Sequence, residues 1–392
     1  MLVGASTIAL LILLAACGGG GGPPEQVPPT TEGVLALMAY VPNSPQYSEF
    51  CFSSPRRFLD DTGFQDVRTF EDATEAAKDE SLSSKDREAL LLVPAGVPST
   101  FTRRWAMSTL RIRDRLGLNF FEIEEFLSAG PDHFDLVQVP FDKTTLVAGL
   151  DDEGYALEEH GGIPFYAIAP DFDVITTRTA EGYNVPTGLA EFMADSMNRV
   201  WFSDRLLVFA PATQIVTDVI DAASGRAESI SSRPDYRRSI EGLSPFYAGC
   251  LLDPGYLDFE SFVQRLQPDS RRHVIDEVLS RYPQWSPLER PILLALGYYR
   301  QGDGRDTFKI GFWYADKGKA KANASELEKR LKQYQSMSAD KPLCGEVHVR
   351  SRTWPEGSLA LAECRDGLAG QWVGQFLSEE LIVLLMDRLP EQ

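Results

Sequence analysis

An uncharged apolar run at the N-terminus decides which part of this chain can fold as a globular body. It covers residues 2–16 and ends on two alanines before Cys17, and residues 18–22 are all glycine. The run is too short to cross a hydrocarbon core, which needs about 20 apolar residues. Small residues before a cleavage point are typical of a secretory signal, although residues 1–6 lack the usual Lys or Arg, which indicates a start further upstream or an atypical signal. We therefore predict a signal peptide at 1–16; the alternatives are a short uncleaved anchor or a hydrophobic segment of the fold.

The end of this run carries a family resemblance. Leu14-Ala15-Ala16-Cys17 resembles the lipobox of bacterial lipoproteins. The resemblance implies export, a diacylglyceryl group on the Cys17 sulfur and acyl chains such as palmitate. It also implies that membrane lipid is a partner through Cys17, on the outer face of the cytoplasmic membrane or in an outer membrane if one is present. Two or more acyl chains give stable anchoring.

Downstream of the signal, composition separates a tether from a body. Residues 17–33 are rich in Gly and Pro and cannot bury enough apolar surface to fold. Such a tether holds a body roughly 20–30 Å from the headgroups. Hydrophobic residues make up 43% of the chain, enough for a sizeable core. The length of the body favours two domains, which we predict at 34–243 and 244–392.

The charge of the chain limits its partners. The formal net charge is −19, and the predicted signal contributes none of it. A body of this charge is repelled by nucleic acid and by anionic headgroups. We therefore predict no nucleic-acid partner.

Hydrophobic periodicity predicts an α+β fold with two helix-covered, mostly antiparallel sheet halves. Alternation and turn residues predict strands or hairpins at 47–52, 134–141, 155–168, 200–209, 246–252, 292–315 and 346–364. Helical spacing predicts helices at 55–61, 120–128, 143–153, 214–223, 258–266, 270–281, 319–335 and 371–388. The β-α-β-β order in each half is typical of ferredoxin-like elements and suggests a degenerate duplication, which residue identity is too low to demonstrate.

Four cysteines remain after Cys17, an even number that permits two disulfides in an exported chain. Cys344 and Cys364 lie on adjacent strand-like runs and are the first predicted pair. Cys51 and Cys250 then pair by elimination, with buried free thiols as the alternative.

Three short segments of the body resemble uncharacterised bacterial envelope lipoproteins. They are Tyr40-Val41-Pro42-Asn43-Ser44-Pro45, residues 117–124 and residues 225–236. The resemblance implies a two-part α+β fold and supplies no known catalytic residues.

The sequence contains no nucleotide-binding glycine loop, nucleophile elbow or paired-histidine metal motif. His160, beside two glycines, is interpreted as a polar hairpin tip. Asp171 and Asp173 alternate in a loop and so can point two carboxylates one way, but Ca²⁺ needs six to eight oxygen ligands. We predict no catalytic residues, no metal site and no cofactor.

A local concentration of lysine stands out in this acidic chain. Seven of its ten lysines lie between positions 309 and 341. Apolar residues at helical spacing predict that one side of the 319–335 helix packs on a sheet. The lysines left over form a candidate partner-binding surface, which we call the lysine strip: Lys317, Lys319, Lys321, Lys329 and Lys332. The alternative is a solvated helix face.

Together these features favour a membrane-tethered lipoprotein with a non-enzymatic binding or scaffold role and an envelope protein as its partner. One alternative is an envelope hydrolase whose site is assembled from distant residues; a pocket holding Asp171, Asp173 or a perturbed histidine would favour it. Another is a transporter-associated solute-binding protein, which the lack of alternating βαβ units disfavours.

Overall fold

The computed structural model describes residues 29–82, 87, 90, 112–130, 134–179, 184–186, 188–189, 195–257, 280–281, 285–302, 304–335 and 342–366. The predicted signal, Cys17 and most of the tether lie outside the described residues, as do the helices predicted at 258–266 and 371–388 and most of the one at 270–281.

The described chain alternates helices with strands. The helices are α1 (Pro29–Leu37), α2 (Pro55–Asp61), α3 (Phe70–Ala76), α4 (Lys143–Asp152), α5 (Thr213–Ala223), α6 (Pro234–Leu243) and α7 (Lys317–Gln333). The strands are β1 (Phe50–Ser53), β2 (Glu125–Ala129), β3 (Phe134–Gln138), β4 (Ala156–His160), β5 (Ile163–Ala167), β6 (Thr176–Arg178), β7 (Asn184–Pro186), β8 (Arg199–Ser203), β9 (Leu206–Ala210), β10 (Ala248–Leu252), β11 (Leu293–Arg300), β12 (Asp306–Tyr314), β13 (Glu346–Trp354) and β14 (Gly357–Arg365).

Side-chain caps explain where two of the longer helices begin. The Asp142 carboxylate accepts a hydrogen bond of 2.7 Å from the Thr145 amide at the start of α4. The Asp316 carboxylate accepts from the amides of Gly318 and Lys319, at 2.6 and 3.0 Å, at the start of α7. Each cap satisfies amide groups that have no partner inside the helix.

One antiparallel sheet of twelve strands organises the molecule, in the order β13-β14-β12-β11-β10-β1-β2-β3-β9-β8-β5-β4. The predicted α+β class is confirmed. Strand β1 pairs with β10, so the sheet runs without a break from residues of one predicted half into residues of the other. The interleaved ferredoxin-like order is not confirmed, because consecutive strands β1, β2 and β3 are neighbours, as are β10, β11 and β12.

Helices cover both faces of the sheet. The α6 face carries α1, α5 and α6, and the α7 face carries α2, α3, α4 and α7. Because both faces are covered, central strands such as β9 and β12 are buried along their whole length. Helix α1 approaches β2 closely: a Cβ atom on Gly33 would lie 2.5 Å from Oε1 of Glu125.

The helix predicted at 120–128 is wrong. A single 3₁₀ turn spans Phe120–Glu122, and the chain then enters strand β2. All five residues of β2 are buried between two paired strands, so tertiary packing decides the conformation of this segment. The strand predicted at 200–209 is in fact the hairpin of β8 and β9.

Candidate binding site

A small cavity opens where the ends of several elements meet on the α6 face. It has a volume of about 250 Å³. The turn before β1, the end of β2, the start of β3, the loop at 171–172 and the start of α5 contribute its walls. They include Asp171, the carboxylate whose presence in a pocket would favour a hydrolase, together with Tyr47, Gly130, Phe134, Phe172, Gln214 and Ile215.

The floor of the cavity is apolar and rigid. Phe134 is fully buried, and its ring meets the Tyr47 ring edge-to-face with the centroids 5.3 Å apart. Gly130 has φ +82°, and a Cβ atom there would lie 3.0 Å from the Gln46 carbonyl oxygen. Glycine is therefore required at this position, because a larger residue would be strained and would crowd the neighbouring turn.

One carboxylate orients the polar groups at the side of the cavity. Asp218 Oδ2 accepts hydrogen bonds from the Tyr47 hydroxyl at 2.9 Å and from Gln46 Nε2 at 3.4 Å. Asp218 Oδ1 accepts from Gln214 Nε2 at 2.7 Å. Residue 218 lies on α5, so this helix fixes two side-chain amides and a phenol next to an apolar floor. Such a combination can bind an apolar group and hydrogen-bond the polar atoms beside it.

Asp171 fastens the loop that forms the rim. Its Oδ1 accepts from Arg199 at 2.7 Å, from the Thr213 amide at 2.8 Å and from the Thr213 hydroxyl at 3.0 Å. The Arg199 side chain is almost fully buried, so this ion pair holds the loop against β8 and the start of α5. Asp173 contributes its backbone carbonyl, which accepts from Asn198 Nδ2 at 2.7 Å. The Asp171 carboxylate and the Asp173 backbone carbonyl therefore hold this loop in place.

Between these two residues the loop presents an exposed aromatic ring. Phe172 is 50% exposed and has φ +62°. A positive φ is strained for a bulky residue, and such strain concentrates at ligand-binding sites. Its amide donates to the Pro211 carbonyl at 2.9 Å, which holds the ring at the rim. Val174 and Val185, on the next part of the chain, are also exposed large apolar residues.

The sequence pattern indicated Asp171 and did not indicate the Phe172 ring beside it. The available signal was an aromatic residue between two aspartates in a loop, an unusual place for a large apolar side chain. The remaining lining residues come from positions far apart in the chain, and no local pattern connects them.

His160 lies at a hairpin tip, as predicted, between β4 and β5. Its Nε2 is 2.9 Å from Asp221 Oδ1, which also accepts from Arg226 at 2.7 Å. Burial opposes ionisation of Asp221, but the hydrogen bonds from Arg226 and His160 leave its pKa lower than usual. This group ties the tip to α5. Within the described ranges, no cluster of three or more His, Cys, Asp or Glu side chains could hold a metal ion.

Both predicted disulfides are present. Cys51 and Cys250 are directly opposite each other in the pair of β1 and β10, with a Cα–Cα distance of 3.9 Å. Cys344 and Cys364 are joined at the start of the β13–β14 hairpin, with a Cα–Cα distance of 5.0 Å.

Ion pairs occupy much of the lysine strip, which lies on α7. Lys319 pairs with Glu289 at 3.0 Å, Lys329 with Glu326 at 3.4 Å and Lys332 with Glu328 at 2.5 Å. Lys317 and Lys321 are exposed, and in the part of the chain that the structure describes they form no ion pair. These two lysines are therefore the better candidates for contact with an acidic partner.

Several charged side chains are buried in the sheet, among them Glu125, Asp135 and Lys309, and no sequence pattern marks these three as buried. Burial raises the pKa of Asp135 on β3 to about 7 and raises that of Glu125 well above its usual range, although the Ser54 hydroxyl donates to Glu125 at 2.5 Å. Burial lowers the pKa of Lys309 on β12 to about 7, and its ammonium donates to the carbonyl of Leu243 at 2.7 Å.

Comparison with known proteins identifies no relative of this chain, so its function is inferred from the sequence, the fold and the cavity. No protein-family model, no curated protein and no solved structure matches this chain. In the part of the chain with described coordinates, no helix is long and apolar enough to cross a membrane.

Proposed function

We propose that this protein is a lipid-anchored lipoprotein of the bacterial cell envelope that binds a protein partner without catalysing a reaction. The lipobox-like sequence ending at Cys17 supports the anchor. The two disulfides support export, because disulfides persist mainly in oxidising compartments outside the cytosol. The cavity with the Phe172 rim supports the binding role.

The size of the cavity favours a protein side chain over a small-molecule ligand. Small-molecule sites usually have volumes of about 300–1,000 Å³. A cavity of about 250 Å³ lies below this range and suits one apolar side chain of another protein. Phe172 is exposed at the rim of the cavity and Val174 is exposed two residues further along, and exposed apolar side chains beside a cavity are typical of a protein-binding surface.

A photo-crosslinking residue at position 172 tests this site. We expect p-benzoylphenylalanine in place of Phe172 to form one major covalent adduct in cells, because the rim ring would contact the partner. The matched control is the same substitution at Ile292, which is similarly exposed (47%) and lies directly before β11, away from the cavity. Gel shift and mass spectrometry report the adduct. Equal adducts at both positions, or none at position 172, would contradict the proposal.

The anchor has its own test. Cys17→Ser removes the sulfur that would carry lipid, so we expect the body to be released from membranes or to accumulate as an unprocessed precursor. Fractionation and gel mobility measure this outcome, and Gly20→Ser, in the same glycine run, is the control. A Cys17→Ser variant that fractionates and migrates like the parent would show that lipid is not attached there.

The lysine strip supports a second contact with an acidic partner. A basic surface on a body of charge −19 attracts acidic partners over roughly the Debye length of 8 Å. We expect reversal of Lys317 and Lys321 to Glu to reduce the co-purified partner severalfold with little change in thermal stability. The control reverses Lys78 and Arg237, which are exposed elsewhere. Quantitative mass spectrometry of the membrane fraction measures the amount of co-purified partner. If that amount is unchanged, the lysine strip is a solvated helix face and not a contact surface.

We also infer a degenerate duplication. In the second half the order is β10-β11-β12-β14-β13 and in the first it is β1-β2-β3-β9-β8-β5-β4, so the halves correspond if β8 and β9 are an insertion. The helix α4 follows β3 as α7 follows β12, and each begins at an aspartate cap. Cys51 and Cys250 would then be equivalent positions joined across a pseudo-two-fold axis.

A further inference from the structure

The two edges of the sheet differ in charge. At one edge β4 presents Glu158 and Glu159, which are exposed. At the other edge β13 presents Arg350, whose side chain is 46% exposed, and half-buried Arg352, with exposed Glu346 at the start of the strand. Along the described chain, no strand pairs with the outer side of either edge. An open edge is a template for pairing with another chain.

We propose that the protein self-associates head to tail, with β4 of one copy pairing with β13 of the next. The two edge strands are separate from the lipid anchor and from the cavity.

Strand direction supports this pairing. Every pair of neighbours in the sheet is antiparallel, and the sheet has an even number of strands, twelve. The two edge strands therefore run in opposite directions. A copy displaced sideways along the sheet brings its β13 antiparallel to β4, so the ladder continues in the same pattern.

The two faces also match. Glu158 lies opposite Phe165, which belongs to the core of the α6 face, and Arg350 lies opposite Leu361 of the same core. The displaced copy keeps its α6 face on the same side, so Glu158 of one copy meets Arg350 or Arg352 of the next. Opposite charges at such cross-strand positions stabilise a sheet.

Apolar side chains meet on the other face. Leu157 is 64% exposed and lies in register with Tyr166 and Val200, on the α7 face. Val349 is half-buried on that face of β13 and packs against the same core. Pairing would cover the exposed surface of Leu157 beside Val349.

Charge opposes the symmetric alternatives in some registers. A pair of two β4 strands centred on Glu158 places this carboxylate against its own copy, and a pair of two β13 strands centred on Ser351 places Arg350 against Arg352. Like charges directly opposite destabilise a strand pair. A pair of two β13 strands centred on Val349 would instead place Arg352 against Glu346, and the single-cysteine variants below distinguish that contact from the head-to-tail one. The head-to-tail contact is heterologous, so it produces rows or rings rather than closed dimers.

Engineered cysteines in the full chain test the contact. We expect Glu158→Cys combined with Arg350→Cys to give a ladder of covalent oligomers on a non-reducing gel after mild oxidation of membranes, with a 158–350 crosslink identified by mass spectrometry. Each single-cysteine variant should give no ladder. Absence of the ladder in the double variant would overturn the proposal, and so would dimers of a single-cysteine variant, which indicate two-fold pairing.

A second experiment reverses the charges at the proposed contact and measures energy transfer between copies. Energy transfer between donor- and acceptor-labelled full-length copies in phosphatidylcholine vesicles should fall to background for Glu158→Lys and for Arg352→Glu, and it should return when both changes are in one chain. Arg352 is chosen because Arg350 already pairs with Glu363 at 2.8 Å within the chain. Arg178→Glu, on the exposed strand β6, is the control and should leave transfer unchanged. Failure of the double exchange to restore transfer would contradict an edge-to-edge contact.

Discussion

Replacing Cys51 and Cys250 together by alanine is expected to lower the free energy of unfolding by about 5 kcal/mol, because the disulfide closes a very long loop. The two residues are 199 positions apart in the sequence. A crosslink of this span removes many conformations from the unfolded chain. Both side chains also lie in the core of the α7 face, so their loss removes buried contacts as well.

Denaturant unfolding under non-reducing conditions measures this effect. The matched control replaces Cys344 and Cys364, which are only 20 positions apart and should cost about 3 kcal/mol. The Cys51–Cys250 bond joins the two predicted domains, whereas Cys344–Cys364 lies within one. We therefore expect the transition to split into two steps only in the Cys51/Cys250 variant. Equal losses in both variants, each with a single transition, would contradict this reasoning and the predicted domain boundary.

Elements defined by local signals were predictable from the sequence. The hairpin of β11 and β12 is marked by alternating apolar residues around a Gly-Asp-Gly turn. The helices α4 and α7 each have an aspartate cap followed by helical spacing of apolar residues. These signals lie within a few residues of the element, so a single sequence contains them.

Elements defined by distant partners were not predictable. Strand β2 follows an aromatic and acidic segment that has helical spacing, but it is held between β1 and β3. The seam between β1 and β10 joins residues on opposite sides of the predicted domain boundary. Nothing in either short segment indicates its partner, and only the cysteine in each gave a hint, through pairing by elimination.

The cavity likewise combines a feature with a local sequence signal and partners that lie far away in the chain. Asp171 was noticed as a carboxylate in a loop, but its partners Arg199 and Thr213 lie 28 and 42 positions away. Because Arg199 and Thr213 donate to its carboxylate, Asp171 holds the loop that carries Phe172, whereas the sequence offered it as a candidate metal ligand. A pattern of residue types in one loop cannot show which of its oxygens are already occupied.

Buried charge was the least predictable feature. A charged residue in an alternating strand is normally read as facing solvent. Helices on both faces of this sheet remove that option for Asp135, which is only 1% exposed. The sequence of β3 has no feature that distinguishes a buried aspartate from an exposed one.

Replacing Asp135 by Asn should stabilise the protein above neutral pH and have little effect near pH 4. The pKa of Asp135 is about 7 in the folded protein and near 3.9 in an unfolded chain. Between these values the folded state holds a proton that the unfolded state has lost, so stability falls as pH rises. The full loss, reached above pH 7, corresponds to about 4 kcal/mol. The amide of Asn is neutral at every pH in this range, so the Asp135→Asn variant does not lose this stability.

The measurement is the free energy of unfolding of both proteins from pH 4 to pH 8. The difference between them isolates Asp135, because Glu125 and Lys309 are common to both proteins and their titration cancels. Asp204→Asn, at the exposed turn between β8 and β9, is the control, because it makes the same exchange outside the buried sheet. A constant difference for Asp135→Asn would mean that the carboxylate ionises in the fold as easily as in the unfolded chain. Burial between two covered faces would then not penalise its charge, and the explanation given for its raised pKa would be wrong.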